Sequence, residues 1–233
     1  MVNKDKLLAL AAMNNAQWCA SVCQANGVAG QFTDQVWYAP GEVPVFYPNI
    51  ITLKAKCRLE TVRPIIQQMG GSLSIKDSFN TLALNSLGLV KLFDAQWLLA
   101  PAYVQAKGRY QLVTDANQLT QWTAAWCRTP SKSPVNPALL HQASIHFVAI
   151  YEKDCLVAGG IINRSEGVVG LTNVFCHTSE ARTGWLTCLS AASVIGDGLP
   201  VVTYQRSDER TLVKSIGFTE IGPLSVWVKP YHS

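Results

Sequence analysis

The sequence lacks a hydrophobic run long enough to cross a bilayer. Its longest apolar stretches, such as Leu98–Tyr103 and Phe147–Tyr151, are far shorter than the roughly 20 residues of a spanning helix. The N-terminal segment has two lysines before Leu7–Ala12, but no full apolar core segment and no persuasive cleavage site, so it does not read as a signal peptide. We therefore expect a cytoplasmic protein without a membrane partner.

Charge is also scarce. Charged residues make up 15% of the chain and hydrophobic residues 48%, whereas a typical soluble domain has about 25% charged residues. A soluble chain with so little charge is expected to bury additional surface in a domain interface or in a homodimer. The net charge of +4 is spread along the chain without a basic stripe, which argues against a nucleic-acid partner.

The cysteines show no pairing pattern. There are seven, an odd number, and they are scattered along the chain, which predicts free thiols in a reducing compartment. Cys19 and Cys23 would share a helix face, but no second Cys/His pair with zinc-finger spacing accompanies them. We interpret them as small buried side chains rather than zinc ligands, and we expect no metal site.

The first half has a mixed pattern of helices and strands. Helical spacing predicts a helix over residues 5–26 that stops at Asn26-Gly27, and a loop rich in proline and aromatic residues follows. Further segments read as a strand, a helix and two strands or irregular core segments: Ile50–Lys54, Leu59–Met69, Leu73–Ser78 and Leu89–Trp97. Residues 101–109 look like a boundary, so we predict an N-terminal α/β region over 1–108 and a second domain over 109–233.

The second half has a clearer order of elements. Asp115 is placed to cap a helix that runs to Trp126 or Cys127. Three strands, a helix, a strand, a short helix and a last strand follow: Ser144–Tyr151, Cys155–Asn163, Val168–Cys176, a helix in Thr178–Ala192, Val201–Gln205, Asp208–Ser215 and Gly222–Lys229. This order predicts a mixed α/β (α+β) sheet domain.

Three segments of this half carry a family resemblance. Val157–Asn163 with Gly167–Cys176 looks like a central hairpin, and Thr183-Gly184-Trp185-Leu186 opens a helix. Lys214-Ser215-Ile216-Gly217-Phe218, followed by Leu224–Lys229, looks like a closing helix, Gly-Phe and final strand. Together they resemble the GNAT superfamily of acyl-CoA-dependent N-acyltransferases. The resemblance covers about half the chain and implies a mostly antiparallel central sheet flanked by helices. Residues 1–108 do not match a second complete domain of this type, and two interpretations of them stay open: a degenerate half of the same type, or a lid.

The resemblance also implies a cosubstrate, acetyl-CoA or another acyl-CoA, and an amine acceptor on a small molecule or peptide. The pantetheine arm of the acyl-CoA would pair with the backbone of Val174, Phe175 and Cys176. Its pyrophosphate would bind at the start of the following helix, at Arg182, Thr183, Gly184 and Trp185, because the first N–H groups of a helix lack partners inside it.

The sequence departs from the family pattern at several positions. If Gly184 is the first glycine of the family's R-x-x-G-x-G/A turn, Leu186 replaces the second and Ala181 the arginine. A tyrosine that often serves as the acid is replaced by Val213, and no glutamate base lies on the central strand. The acyl-CoA-binding motif is therefore degenerate.

Three other side chains are candidates for proton transfer. His177 follows the central strand and could deprotonate an amine, or be a surface histidine. Tyr204 could protonate the leaving thiolate, or be a packing residue. Asp208 is the third candidate for proton transfer. Its alternative role is a favourable interaction with the dipole of a helix. Two functions stay open: an N-acyltransferase acting by direct transfer in a ternary complex, and a catalytically degenerate module that binds a ligand or protein.

Overall fold

The computed structural model describes residues 3–69, 71, 73–101, 108–127, 133–165, 167–177 and 180–230. The chain divides into two compact units, one formed by Met1–Trp97 with Ile221–Ser233 and the other by Leu98–Glu220. The boundary predicted between residues 108 and 109 stays a prediction, and part of the segment that suggested it, 102–107, lies outside the described residues. Among the described residues, no helix is long and apolar enough to span a membrane.

The first unit combines two helices with a small sheet. Its elements are α1 (Lys4–Ala25), β1 (Gln31–Phe32), β2 (Val36–Tyr38), β3 (Ile50–Thr52), α2 (Leu59–Gln68), β4 (Ser74–Asp77), a 3-10 helix (Leu84–Leu87), most of β5 (Val90–Leu99) and most of β11 (Thr219–Val228). The order β1-β2-β3-β4-β11 is antiparallel except for the parallel pair β3–β4. The core packs α2 against one face of this sheet.

The second unit has three helices and a longer sheet. Its elements are β6 (Gln111–Leu112), α3 (Ala116–Trp126), a 3-10 helix (Pro137–His141), β7 (Ile145–Glu152), β8 (Cys155–Ser165), β9 (Val168–Cys176), α4 (Ala181–Gly196), β10 (Val201–Arg206) and α5 (Ser207–Ser215). In the order β6-β7-β8-β9-β10 only the pair β9–β10 is parallel. The predicted mixed, mostly antiparallel fold is confirmed.

Local sequence signals explain several of these boundaries. The carboxylate of Asp115 accepts a hydrogen bond from the amide of Gln118 (2.9 Å) and so caps α3 as predicted. Helix α4 ends at its C-cap residue Asp197, which has the left-handed conformation (φ 51°). The predicted aromatic loop after α1 contains the two short strands β1 and β2, because Trp37 pairs with Ile51 of β3 before the prolines begin.

The core of the second unit lies between α4 and its sheet. It includes Leu98 and Ala100, which come before the unit's own first strand. The amide of Ala100 donates a hydrogen bond of 2.9 Å to the carbonyl of Val201 in β10. Residues that follow β5 therefore complete this unit's core and its sheet.

Candidate functional site

Strands β9 and β10 part after a short paired stretch. They are in register at Val169↔Val201 and Gly170↔Val202. Beyond that point β9 continues to Cys176 and β10 to Arg206, and these described residues form no further pair between the two strands. Backbone groups on the edge of a strand can pair with a ligand that has amides of its own.

A β-bulge interrupts β9 beside this opening. Gly159 of β8 lies opposite Phe175, whereas Ile161 lies opposite Thr172, so Asn173 and Val174 together face Gly160. Asn173 has a positive φ of 52°, a conformation that asparagine tolerates better than most residues, and its side chain accepts a hydrogen bond from Thr172 Oγ1 (2.8 Å). A bulge redirects the backbone groups that follow it.

The last amides of β9 point alternately toward β8 and away from it. The amide of His177 donates to the carbonyl of Val157 in β8 (2.8 Å). Because successive amides of a strand point to opposite sides, the amide of Cys176 points away from β8, toward the side where β10 has parted. Val174 lies two residues earlier, within the bulge.

Helix α4 begins five residues after β9 ends. Its first backbone hydrogen bond is the one from the Gly184 amide to the Glu180 carbonyl (3.1 Å). The amides of Ala181, Arg182 and Thr183 precede that bond, and within the described part of the chain the N-cap residue Glu180 makes no side-chain cap bond. Such amides, together with the helix dipole, bind anions. The Glu180 carboxylate accepts a bond from the Thr183 hydroxyl (3.2 Å) and brings a negative charge to the same turn.

Arg182 ties α4 to α5. Its guanidinium donates to the carbonyl oxygen of Ser215 (3.0 Å) and to the hydroxyl of the same residue (2.9 Å). Ser215 is the last residue of α5, so this arginine satisfies a carbonyl at a helix C-terminus, where positive charge is favourable. The structure thus shows a positioning contact for Arg182, while its contact with phosphate stays a prediction.

Gly184 and Trp185 face the protein interior. A Cβ on Gly184 would lie 3.3 Å from both the Cβ of Ala158 and the Sγ of Cys176, so glycine lets α4 pack close to the sheet. The ring of Trp185 is 8% exposed and makes an edge contact with Phe218 (6.1 Å between ring centroids). The bulky tryptophan therefore packs in the protein interior, and binding of acyl-CoA by these two residues remains a prediction.

An aromatic cluster lies at the end of β9, against α3. The Trp122 ring makes edge contacts with Phe147 and Phe175 (5.2 and 5.3 Å between ring centroids), and its indole nitrogen donates to the Val148 carbonyl (2.8 Å). Phe175 in turn lies 5.4 Å from the ring of His177. The cluster fixes where the end of β9 lies relative to α3.

His177 is held by this cluster in one orientation. Its Nε2 lies 2.7 Å from the carbonyl oxygen of Ala125 in α3. A carbonyl oxygen only accepts hydrogen bonds, so Nε2 carries the hydrogen and, in the neutral ring, Nδ1 carries the lone pair. The side chain is exposed, which leaves that lone pair able to accept a proton.

The other two candidate catalytic residues lie on β10 and α5. Tyr204 lies in the part of β10 beyond its pairing with β9 and is half-buried. Asp208 lies in the first turn of α5, but its side chain is outside the described part of the structure. The structure therefore brings Tyr204 to the opening between the strands and leaves the role of Asp208 a prediction.

A buried thiol, that of Cys188, lies in the core next to the candidate site. Burial raises the pKa of the Cys188 thiol to about 12, and the nearby Cys176 contributes in the same direction. Cys188 is fully buried in the core beneath α4, so it is a packing residue at neutral pH. Among the described residues, no group of three or more His, Cys, Asp or Glu side chains is placed to hold a metal ion.

The sequence did not predict the bulge, Trp122 as a site residue, or Glu180. The pair Gly159-Gly160 is a signal that could have pointed to the aromatic cluster, since glycine inside a strand often marks a close approach. A Cβ on Gly159 would lie 2.7 Å from the Trp122 indole nitrogen and 2.8 Å from the Phe175 ring. No local signal marks Asn173 as a bulge.

No protein-family model matches the sequence, and a search of curated proteins finds no match. Comparison with solved structures does find similar folds. One is a GCN5-related N-acetyltransferase from Kribbella flavida, with a TM-score of 0.63 at 12% identity over 95% of this chain and 96% of that one. Another is a GNAT-family protein from Novosphingobium aromaticivorans, with a TM-score of 0.56 at 11% identity over 91% and 94%.

A third similar structure, a conserved protein of unknown function from Staphylococcus epidermidis, has a TM-score of 0.55 at 12% identity over 73% of this chain and 79% of that one. At such low identity a likeness shows the fold and leaves the reaction open. The chain has the fold of the GCN5-related N-acetyltransferases, as the resemblance in its second half predicted.

Proposed function

We propose that the protein transfers an acyl group, acetyl in the simplest case, from acyl-CoA to an amine. One observation carries this proposal: β9 and β10 part beside a bulge, and the N-terminus of α4 follows within five residues of the end of β9. The parted strands offer amides to the amide-rich pantetheine arm, and the helix start offers amides to the pyrophosphate.

In this proposal the backbone of β9 binds the cosubstrate. The Cys176 amide, which points away from β8, pairs with the pantetheine arm, together with backbone groups of Val174 and Phe175. The amides of Arg182 and Thr183 bind the pyrophosphate. Gly184 and Trp185 contribute by letting α4 sit close to the sheet and by holding it in the core. Positioning of this kind supplies much of the catalytic effect in a ternary complex.

The proposed chemistry is a direct transfer. The amine nitrogen attacks the thioester carbonyl carbon, the carbon–sulfur bond breaks, and CoA leaves as a thiolate. His177 Nδ1 takes the proton lost by the amine, and Tyr204 donates a proton to the thiolate. His177 is suited to this role because Ala125 fixes its Nε2 as the donor, so that Nδ1 is the basic nitrogen of the neutral ring.

A second candidate function is supported by two particular residues. Val213, which stands where the family often has a tyrosine acid, is fully buried. The carboxylate of Glu180 lies at the helix start where a pyrophosphate would bind, and two anions repel each other there. Both features favour a module that retains the fold and binds a ligand or protein without catalysis.

Release of free thiol from acetyl-CoA, measured over a panel of small amines and peptide N-termini, tests the enzyme. Because a general base contributes about 100-fold or more, His177→Gln should lower kcat at pH 7 by that factor and leave the KM for acetyl-CoA unchanged. An unchanged kcat in the variant would refute the role of His177. Binding of acetyl-CoA without thiol release from any amine would favour the module.

A further inference from the structure

The two units end their last helix in the same way. In the first unit the turn is Ser86-Leu87-Gly88-Leu89, and in the second it is Ser215-Ile216-Gly217-Phe218. Both glycines have positive φ, 78° at Gly88 and 101° at Gly217, which glycine adopts without strain.

The hydrogen bonds of these turns also match. The Ser86 and Ser215 hydroxyls each donate to the carbonyl three residues earlier, at 2.7 Å in both cases. The amide after each glycine donates to the carbonyl five residues earlier, from Leu89 to Leu84 (3.3 Å) and from Phe218 to Val213 (3.2 Å). The four residues joined by these longer bonds, which close a Schellman motif, are all buried.

The elements before the two turns follow one order. A helix precedes three antiparallel strands, β1-β2-β3 in the first unit and β7-β8-β9 in the second. A helix and a strand parallel to the third strand follow, α2 with β4 and α4 with β10. Each parallel pair is in register at two positions: Ile50↔Ile75 and Ile51↔Lys76 in the first unit, and Val169↔Val201 and Gly170↔Val202 in the second.

The segments that follow the two turns each end in the other unit. The strand that follows Gly217, β11, pairs with β4 of the first unit from Ser225↔Asp77 to Val228↔Ser74. The segment that follows Gly88 ends in the second unit, where the Ala100 amide bonds to Val201. Each unit thus contains residues that follow the other unit's glycine turn, from Ile221 onward in the first unit and from Leu98 onward in the second.

We infer that the first unit is a second copy of the acyltransferase-type unit and that its ligand cleft is closed, so that each chain binds one acyl-CoA, in the second unit. The inference rests on the proposed function, and it adds the number of sites and the unit that holds them.

Hydrogen bonds close the cleft of the first unit. The Thr52 hydroxyl at the end of β3 donates to the carboxylate of Asp77 at the end of β4 (3.2 Å). The Ser78 amide donates back to the Thr52 hydroxyl (2.8 Å). All three residues are fully buried. These bonds join the two strands at the place where β9 and β10 part in the second unit.

Two further contacts fill the same region. The Asp77 carboxylate also accepts hydrogen bonds from the amides of Phe79 (3.3 Å) and Leu82 (2.8 Å). The fourth residue of α2 is Val62, which is fully buried, whereas the fourth residue of α4 is Gly184. Where the second unit has parted strands and a glycine, the first has hydrogen bonds between its strands and a valine.

Calorimetric titration of the whole chain with CoA tests the inference. Two matched variants place a glutamate at the start of one helix each: Ala181→Glu at α4 and Arg58→Glu at the N-cap of α2. The expected stoichiometry is one CoA per chain. Ala181→Glu should weaken binding at least tenfold by repelling the pyrophosphate, and Arg58→Glu should leave affinity and stoichiometry unchanged.

Two CoA per chain, or binding that survives Ala181→Glu and is lost in Arg58→Glu, would overturn the inference while leaving an acyl-CoA function in place. No binding to the unaltered chain would instead refute the proposed function, and with it the single site. Circular dichroism of both variants verifies that they are folded, since both substitutions lie at helix starts and outside the core.

Discussion

At the scale of single residues, the cysteines differ in exposure, and one of them lies at the candidate site. Cys155 is exposed, Cys176 is partly exposed at the end of β9, and the other five are buried. Burial raises the pKa of the Cys23 and Cys57 thiols to about 12 and about 11, so these are protonated and slow to react at neutral pH.

We therefore expect saturating CoA to slow alkylation of Cys176 by iodoacetamide, because the pantetheine arm would lie along the backbone of that residue. Cys155 is the internal control, and its rate should not change. Peptide mass spectrometry of the labelled protein measures both rates. Equal rates at Cys176 with and without CoA would contradict the placement of the arm.

Asp77 links the closed cleft of the first unit to pH. Burial raises the pKa of its carboxyl, an effect that outweighs the opposing hydrogen bonds from Leu82, Phe79, Thr52 and Thr81. A carboxyl with a raised folded-state pKa binds more protons in the folded state, so its contribution to stability falls as pH rises above the ordinary value of about 4.

The expected result concerns the free energy of unfolding of the unaltered chain minus that of Asp77→Asn. This difference should fall from pH 4 toward pH 7 in urea titrations, since the asparagine does not ionise. Loss of one hydrogen-bond acceptor in the variant changes this difference by the same amount at every pH and does not alter its dependence on pH. A difference that rises over this interval would show that the pKa is lowered instead.

At the scale of elements, β5 contributes to the core of the second unit. Leu98 lies in that core and is fully buried, whereas Leu92 of the same strand is 60% exposed. Leu98→Ala should lower the free energy of unfolding of the whole chain by about 2–5 kcal/mol. Leu92→Ala, the matched control, should change it by less than about 0.5 kcal/mol. Equal effects in urea unfolding would show that Leu98 is not a core residue.

Much of this element order could be predicted from the sequence, because periodicity and turn residues are local signals. Asp115 marked the start of α3, and Gly217-Phe218 marked the turn before β11. The pairing of β11 with β4 could not be predicted, since the partners lie far apart in sequence and their patterns suit any neighbour. The bulge at Asn173 and the inward direction of Trp185 likewise depend on packing against β8 and Phe218.

At the scale of the whole molecule, the fold is shared with acetyltransferases at 11–12% identity over nearly the full length of both chains. The sequence has only part of the R-x-x-G-x-G/A turn of the family that it resembles, yet the structure has parted strands, a bulge and a helix N-terminus that follows them. A site made largely of backbone groups tolerates changes of side chain, which is why the fold was easier to predict than the residues that act in it.

Amide hydrogen exchange of the whole chain, with and without saturating acetyl-CoA, tests the central claim most directly. The account predicts slower exchange at residues 173–186, which cover the end of β9 and the start of α4, and unchanged exchange at residues 50–63 of the first unit. Protection confined to residues 50–63, or no protection at 173–186, would contradict it.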